Sequence, residues 1–141
     1  MKIVVLRRSW ETLVEIGRSL TRYVPDTLMR SVVLTEDPTL MLTLAEEYRE
    51  MLVVSCNSFA GTIYTGESLA ADAKRRNPRL LFFVHTVVPT HSCLFDGILV
   101  SSPSKQDIVP QLLSAVLNGA TNLAAIREEF SDFFYPGGYI K

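Results

Sequence analysis

Residues that usually announce chemistry are scarce in this chain. It has two cysteines and two histidines in 141 residues. Cys56 and Cys93 show no metal-ligand spacing, and two thiols are too few for a disulfide scaffold, so both read as reduced, partly buried side chains. Neither sign of charge is in excess. Fourteen Lys and Arg against 15 Asp and Glu leave a net charge of −1, which argues against a nucleic-acid binder held by phosphate contacts, since that needs a basic face. No apolar stretch approaches the roughly 20 residues that span a bilayer. The opening Met1-Lys2-Ile3-Val4-Val5-Leu6 is too short for a signal-peptide core and is followed by no small-residue cleavage site, so the expected compartment is the cytoplasm. Internal repeats, low-complexity tracts and linkers are missing. What is present is 48% hydrophobic residues, enough in a chain of this length to bury one core.

Those residues are concentrated in five short runs: Ile3–Leu6, Val32–Leu34, Leu52–Val54, Leu80–Val84 and Ile98–Val100. Amphipathic stretches separate most of them, which predicts β-α-β-α order and an open parallel sheet. Ser9 is placed to cap a first helix whose stripe is Trp10, Leu13, Val14, Gly17, Leu20 and Val24, ended by Pro25. Asp37-Pro38 signals the start of a second, with Leu40, Met41, Leu44, Ala45 and Tyr48 as its buried stripe. Thr65 or Gly66 opens a third, carrying Leu69, Ala70 and Ala73 and closed by Asn77-Pro78. Only about a dozen residues, Thr86 to Asp96, join the fourth and fifth runs, and they include Pro89 and no helical stripe; a parallel crossover normally takes a dozen or more residues with a helix. The connecting helix is therefore expected to be reduced to a turn. A last helix is predicted from Lys105 or Asp107 to Asn118, with Leu112, Ala115 and Val116 inward. A further segment carries Leu123, Ile126, Phe130 and Phe133 or Phe134 at helical spacing before an irregular tail.

In an open parallel sheet the strand C-termini form the functional edge. Here the first run ends in Arg7-Arg8, the third in Ser55-Cys56, the fourth in His85-Thr86 and the fifth in Ser101-Ser102, with no carboxylate at any of these four ends. Arg7 and Arg8 are adjacent, so strand geometry sends them to opposite sides. Three readings stay open for them: an ion pair with Glu36 or Asp37 at the neighbouring strand end, an anion site gathered with nearby helix N-termini and loop amides, or plain solvent exposure. Cys56 beside His85 invites a thiol-enzyme reading that lacks an orienting acid. His85, His91 and Cys93 invite a metal reading that lacks a fourth ligand. The small, hydroxyl-rich loop Ser55–Thr65 is similar to a flavin phosphate loop, although such a loop follows strand one rather than strand three.

The order of elements resembles the receiver domain of bacterial response regulators. The segments that carry the resemblance are Ser31-Val-Val-Leu-Thr-Glu-Asp-Pro38, Met51-Leu-Val-Val-Ser-Cys56 and Phe95-Asp-Gly-Ile-Leu-Val-Ser-Ser-Pro103. It covers residues 2 to about 119 and implies a flavodoxin-like, three-layer α/β/α fold: a doubly wound five-stranded parallel sheet in the order 2-1-3-4-5. Helix four would be shortened or absent, and residues 120–141 would form a helical extension of the 1–119 domain. The resemblance also implies a phosphorylation site, and each of its positions is altered. Arg7 and Arg8 stand where receivers carry an acidic pair for Mg²⁺, and Cys56 stands at the phospho-acceptor Asp. His85, followed by Thr86, stands at the Thr or Ser, and Ser102 at the Lys before Pro103.

Phosphoryl transfer to a carboxylate needs a divalent cation, which two guanidinium groups would repel. The chain is thus expected to be a degenerate pseudo-receiver: no enzyme, no cofactor and no Mg²⁺, acting through protein partners or as a homodimer. The expected partner surface is strand five with the last helices, at Ile98, Val100, Leu123, Ile126, Phe130 and Phe134. The alternatives are a small-anion or nucleotide-binding regulatory module using Arg7 and Arg8, and a cysteine-dependent enzyme.

Overall fold

A computed structural model describes residues 1–57, 59, 63–86, 92–100, 108–119 and 123–129, with Val100, Ile108, Leu123, Arg127 and Glu129 described by their backbone alone. The five apolar runs become β1 (Lys2–Leu6), β2 (Val32–Thr35), β3 (Met51–Ser55), β4 (Leu81–Thr86) and β5 (Gly97–Val100). All pair in parallel in one sheet of order β2-β1-β3-β4-β5. The helices are α1 (Trp10–Tyr23), α2 (Asp26–Met29), α3 (Pro38–Glu47), α4 (Gly66–Arg76), α5 (Ile108–Leu117) and α6 (Leu123–Glu129). This is the topology implied by the receiver resemblance. None of these helices is long and apolar enough to cross a membrane, among the described residues.

Alternation along each strand sorts the core into two layers. Ile3 and Val5, Leu52 and Val54, Phe83 and Leu99 face one side, where Leu13, Ile16 and Leu20 of α1 and Val109, Leu112, Leu113 and Val116 of α5 cover them, joined by Ile126 of α6. Val4 and Leu6, Met51 and Val53, Phe82 and Val84, and Ile98 face the other, covered by Met41, Leu42 and Ala45 of α3 and Leu69, Ala70 and Ala73 of α4. Phe95 joins this second layer by stacking on Phe82, with ring centroids 6.0 Å apart. On the first side, a Cβ at Gly17 would come within 3.2 Å of Leu34 Cδ1, so glycine lets α1 lie close to β2.

Local chemistry accounts for the helix boundaries. The Asp37 carboxylate accepts from the Thr39 amide at 2.9 Å and its hydroxyl at 2.6 Å, with Pro38 at the first helical position. Thr65 and Ser68 form a reciprocal capping box at the start of α4. Gly119 follows α5 with φ of +116°, a conformation that favours glycine.

Several expectations need correction. Trp10 is not inward but 63% exposed, because the core-facing stripe of α1 starts at Leu13. Leu40 and Tyr48 are likewise exposed, at 40% and 39%, and Leu42 takes the inward position. Pro25 ends α1 but also opens the short α2. Between Thr86 and Gly97 the described residues 92–96 form turns and no helix; the remainder of that crossover lies outside the described residues, as do Asp107, the tail and Phe133.

The turn into β5 is held by Asp96. Its Oδ2 accepts from the Phe82 amide at 2.8 Å and from Lys74 Nζ at 2.6 Å, while its own amide donates to the Phe82 carbonyl at 2.8 Å. One side chain thereby joins β4, β5 and α4. Asp96→Ala should lower unfolding stability by about 1–3 kcal/mol, since it strands a buried amide and an ammonium. Urea denaturation checks this; an unchanged midpoint would show that water replaces the carboxylate.

Candidate functional site

Strand parity places the first functional side chains. Arg7 continues the alternation of Ile3 and Val5, and His85 that of Phe83, so both turn toward the α1–α5 layer. Their strands are not neighbours: β3 lies between β1 and β4, a separation of roughly 9–10 Å at the usual strand spacing. A long guanidinium side chain can bridge such a distance across the end of β3. Arg7 does so, donating from Nη2 to His85 Nδ1 and from Nη1 to the Leu6 carbonyl at 3.2 Å.

The backbone fixes the approach. The Arg7 amide donates to the Thr35 carbonyl at 3.2 Å, and the Cys56 amide to the Leu6 carbonyl at 3.1 Å, so β1 and β3 stay paired to their last residues. Cys56 thus lies beside the root of Arg7, half-buried against the α3–α4 layer. After it the chain loops out and returns through a 2.8 Å bond from the Gly66 amide to the Asn57 carbonyl. A Cβ on Gly66 would fall 2.6 Å from Asn57 Oδ1 and 3.3 Å from its Cα, so the return requires glycine.

Burial controls the charges. Arg7 is only 6% exposed, and loss of water lowers its pKa to about 10, with the nearby Cys56 acting in the opposite direction. It remains a cation at neutral pH. Burial, with the Arg7 charge adding to it, pushes His85 down to about 3. A guanidinium can only donate, so Nδ1 of His85 is the acceptor and its proton sits on Nε2. That Nε2–H is buried and has no hydrogen-bond partner among the described residues.

Arg7 and His85 border a cavity of about 180 Å³ between α1 and α5, completed by Thr12, Glu15, Ile16 and Ser19 and by Val109 and Pro110. Thr12 and Ser19 are seven residues apart, two helical turns on one face. That spacing is visible in the sequence, but both residues flank an apolar stripe and resemble ordinary helix-surface hydroxyls.

The strand-end residues therefore separate. Arg7, Cys56 and His85 converge; Thr86 ends β4 beside them; Arg8 is exposed. The ion pair expected between Arg7 and Glu36 or Asp37 is not formed. Arg7 has no carboxylate within 4 Å among the described residues, because its parity directs it away from the β2 end and toward His85. Ile98 and Ile126, expected on an open partner surface, are fully buried: each fills an intramolecular layer between sheet and helix. Ser102, His91, Phe130 and Phe134, and the side chains of Val100 and Leu123, lie outside the described residues. Among the described residues no group of three or more His, Cys, Asp or Glu side chains could hold a metal ion.

The chain matches no protein-family model and no curated protein. It is similar in structure to the isolated REC domain of RcsB from Salmonella enterica serovar Typhimurium, determined with the phosphomimetic BeF3−, at TM-score 0.56 and 19% identity over 86% of this chain and 88% of that one. It is also similar to an adenylate cyclase structure from Rhodopirellula baltica, at TM-score 0.58 and 12% identity over 93% of each chain. At these identities the likeness is one of fold: a flavodoxin-like, receiver-type α/β/α sandwich.

The depressed His85 pKa sets a pH dependence. The unfolded chain takes up a proton near pH 6.5 that the folded chain refuses until about pH 3. The stabilisation is therefore complete above 6.5 and falls with pH below it, by up to ~1.4 kcal/mol per pH unit. His85→Gln keeps an acceptor for Arg7 and removes the titration. Urea unfolding between pH 7 and pH 4 should give a shallower decline for this variant than for the unaltered chain, whereas parallel profiles would show that His85 is protonated in the fold.

Proposed function

We propose that this chain is a signal-transduction module of receiver fold that works by protein–protein contact and without an aspartyl-phosphate cycle. The observation that carries this reading is the Arg7–His85 bridge across the end of β3. On the receiver pattern, Arg7 holds an Mg²⁺-ligand position, His85 the hydroxyl position, and Cys56 the acceptor position between them. A buried guanidinium at that point opposes a divalent cation, and a thiol in place of a carboxylate offers no acyl-phosphate chemistry.

The same geometry weakens the enzymatic readings. A histidine with a pKa near 3 whose Nδ1 already accepts from Arg7 is a poor base for the Cys56 thiol at neutral pH. The likeness to an adenylate cyclase is one of fold, and among the described residues no arrangement at the strand ends favours that activity.

Support for partner binding comes from where large apolar side chains reach solvent. Ile63 is 93% exposed and Trp10 63%. Ile63 lies in the loop after β3 and Trp10 opens α1, so both sit beyond strand C-termini, as does Leu40 in the first turn of α3. Exposed apolar groups of this kind at one edge mark contact surfaces. The proposed surface is thus the carboxyl edge of the sheet.

Incubation with acetyl phosphate and Mg²⁺ followed by intact mass should give no adduct; a stable gain of about 80 Da would overturn the reading. A second copy of the chain is the partner most directly tested. Sedimentation velocity at rising concentration should show a dimer that Ile63→Asp disperses, and a concentration-independent monomer would remove the homodimer.

A further inference from the structure

The cavity between α1 and α5 is walled by Arg7, a cation with no counter-ion among the described residues. Arg7 has five N–H groups, and its bonds go to the Leu6 carbonyl and His85 Nδ1. No carboxylate among the described residues pairs with it, at 6% exposure. Burying a cation that lacks a charged partner is costly. A buried guanidinium with N–H groups beyond its two bonds, bordering a cavity, makes a pattern that an anionic acceptor would complete.

We propose that this cavity binds a small monocarboxylate, with Arg7 taking the carboxylate and Thr12 and Ser19 supplying the surrounding polar contacts. A planar guanidinium matches a carboxylate through parallel N–H···O bonds. The remaining wall, Ile16, Val109 and Pro110, is apolar and suits a short hydrocarbon body. The cavity volume of about 180 Å³ limits that body to a few carbons. Glu15 at the rim opposes a second negative charge, which favours a monoanion over phosphate. Arg8, exposed to solvent on the other side of the chain, takes no part. The site goes beyond the interaction reading, because it concerns the side of the edge turned toward α1 and α5, and the assays below read it whether or not a partner binds there.

The probe is sodium butyrate, compared at constant ionic strength with its neutral isostere butyramide and with inorganic phosphate. Butyrate at millimolar concentration should raise Tm in a saturable way by ~3 °C or more, with little effect from the other two. Arg7→Met should abolish the shift and Thr12→Val reduce it. In ¹⁵N-labelled unaltered chain, which needs no variant to fold, the Arg7 side-chain Nη resonances should move with butyrate and stay still with butyramide. The proposal is overturned by no shift with butyrate, by an equal response to butyramide or phosphate, by a folded Arg7→Met variant that keeps the full shift, or by unmoved Arg7 Nη resonances.

Discussion

Each strand of the central sheet meets an apolar layer on both of its faces, and this constraint organises the molecule. A parallel sheet reaches that state only when its crossovers lay helices on either side. Here α1, α5 and α6 close one face over Ile3, Val5, Leu52, Val54, Phe83 and Leu99, and α3 and α4 close the other. The order β2-β1-β3-β4-β5 puts the most apolar strands, β1, β3 and β4, at the centre. Features that look incidental follow from it, including the close approach of Gly17 to Leu34 and the anchoring of β5 by Asp96, which brings Ile98 and Leu99 into opposite layers.

Where the strands end, the alternation continues without a helix long enough to cover it, and polar side chains inherit core directions. Arg7 and His85 occupy positions that would be apolar one turn of the pleat earlier. Burial then acts on ionisable groups: it keeps His85 neutral, and the Arg7 charge reinforces this, while the guanidinium fixes the tautomer by donating to Nδ1. The carboxyl edge of the sheet therefore carries a buried cation.

Much of this was legible in the sequence. The five runs, the Asp37-Pro38 cap, Thr65 as the start of α4 and the crossover order could all be read because period and capping are local properties. The absence of carboxylates at four strand ends could also be read directly. The errors arose where distance in space decides. Trp10 and Leu40 fit a helical stripe yet lie past the edge of the layer they would pack on. Ile98, after a short crossover, and Ile126, on an amphipathic last segment, read locally as open surface, yet both are buried, Ile98 beside Phe95 in one layer and Ile126 with α5 in the other. The ion pair drawn between Arg7 and the β2 end ignored the parity that points Arg7 across β3.

The sequence by itself determined the alternating elements, the parallel sheet and the kinds of residue at its carboxyl edge, because hydrophobic period and turn chemistry act over a few residues. Only the tertiary structure decided that Arg7 meets His85 over the end of β3, that both are buried, and that a cavity opens beside them between α1 and α5. Those outcomes depend on which strands become neighbours and which helices cover them, and residues 78 positions apart carry no local signal of their contact.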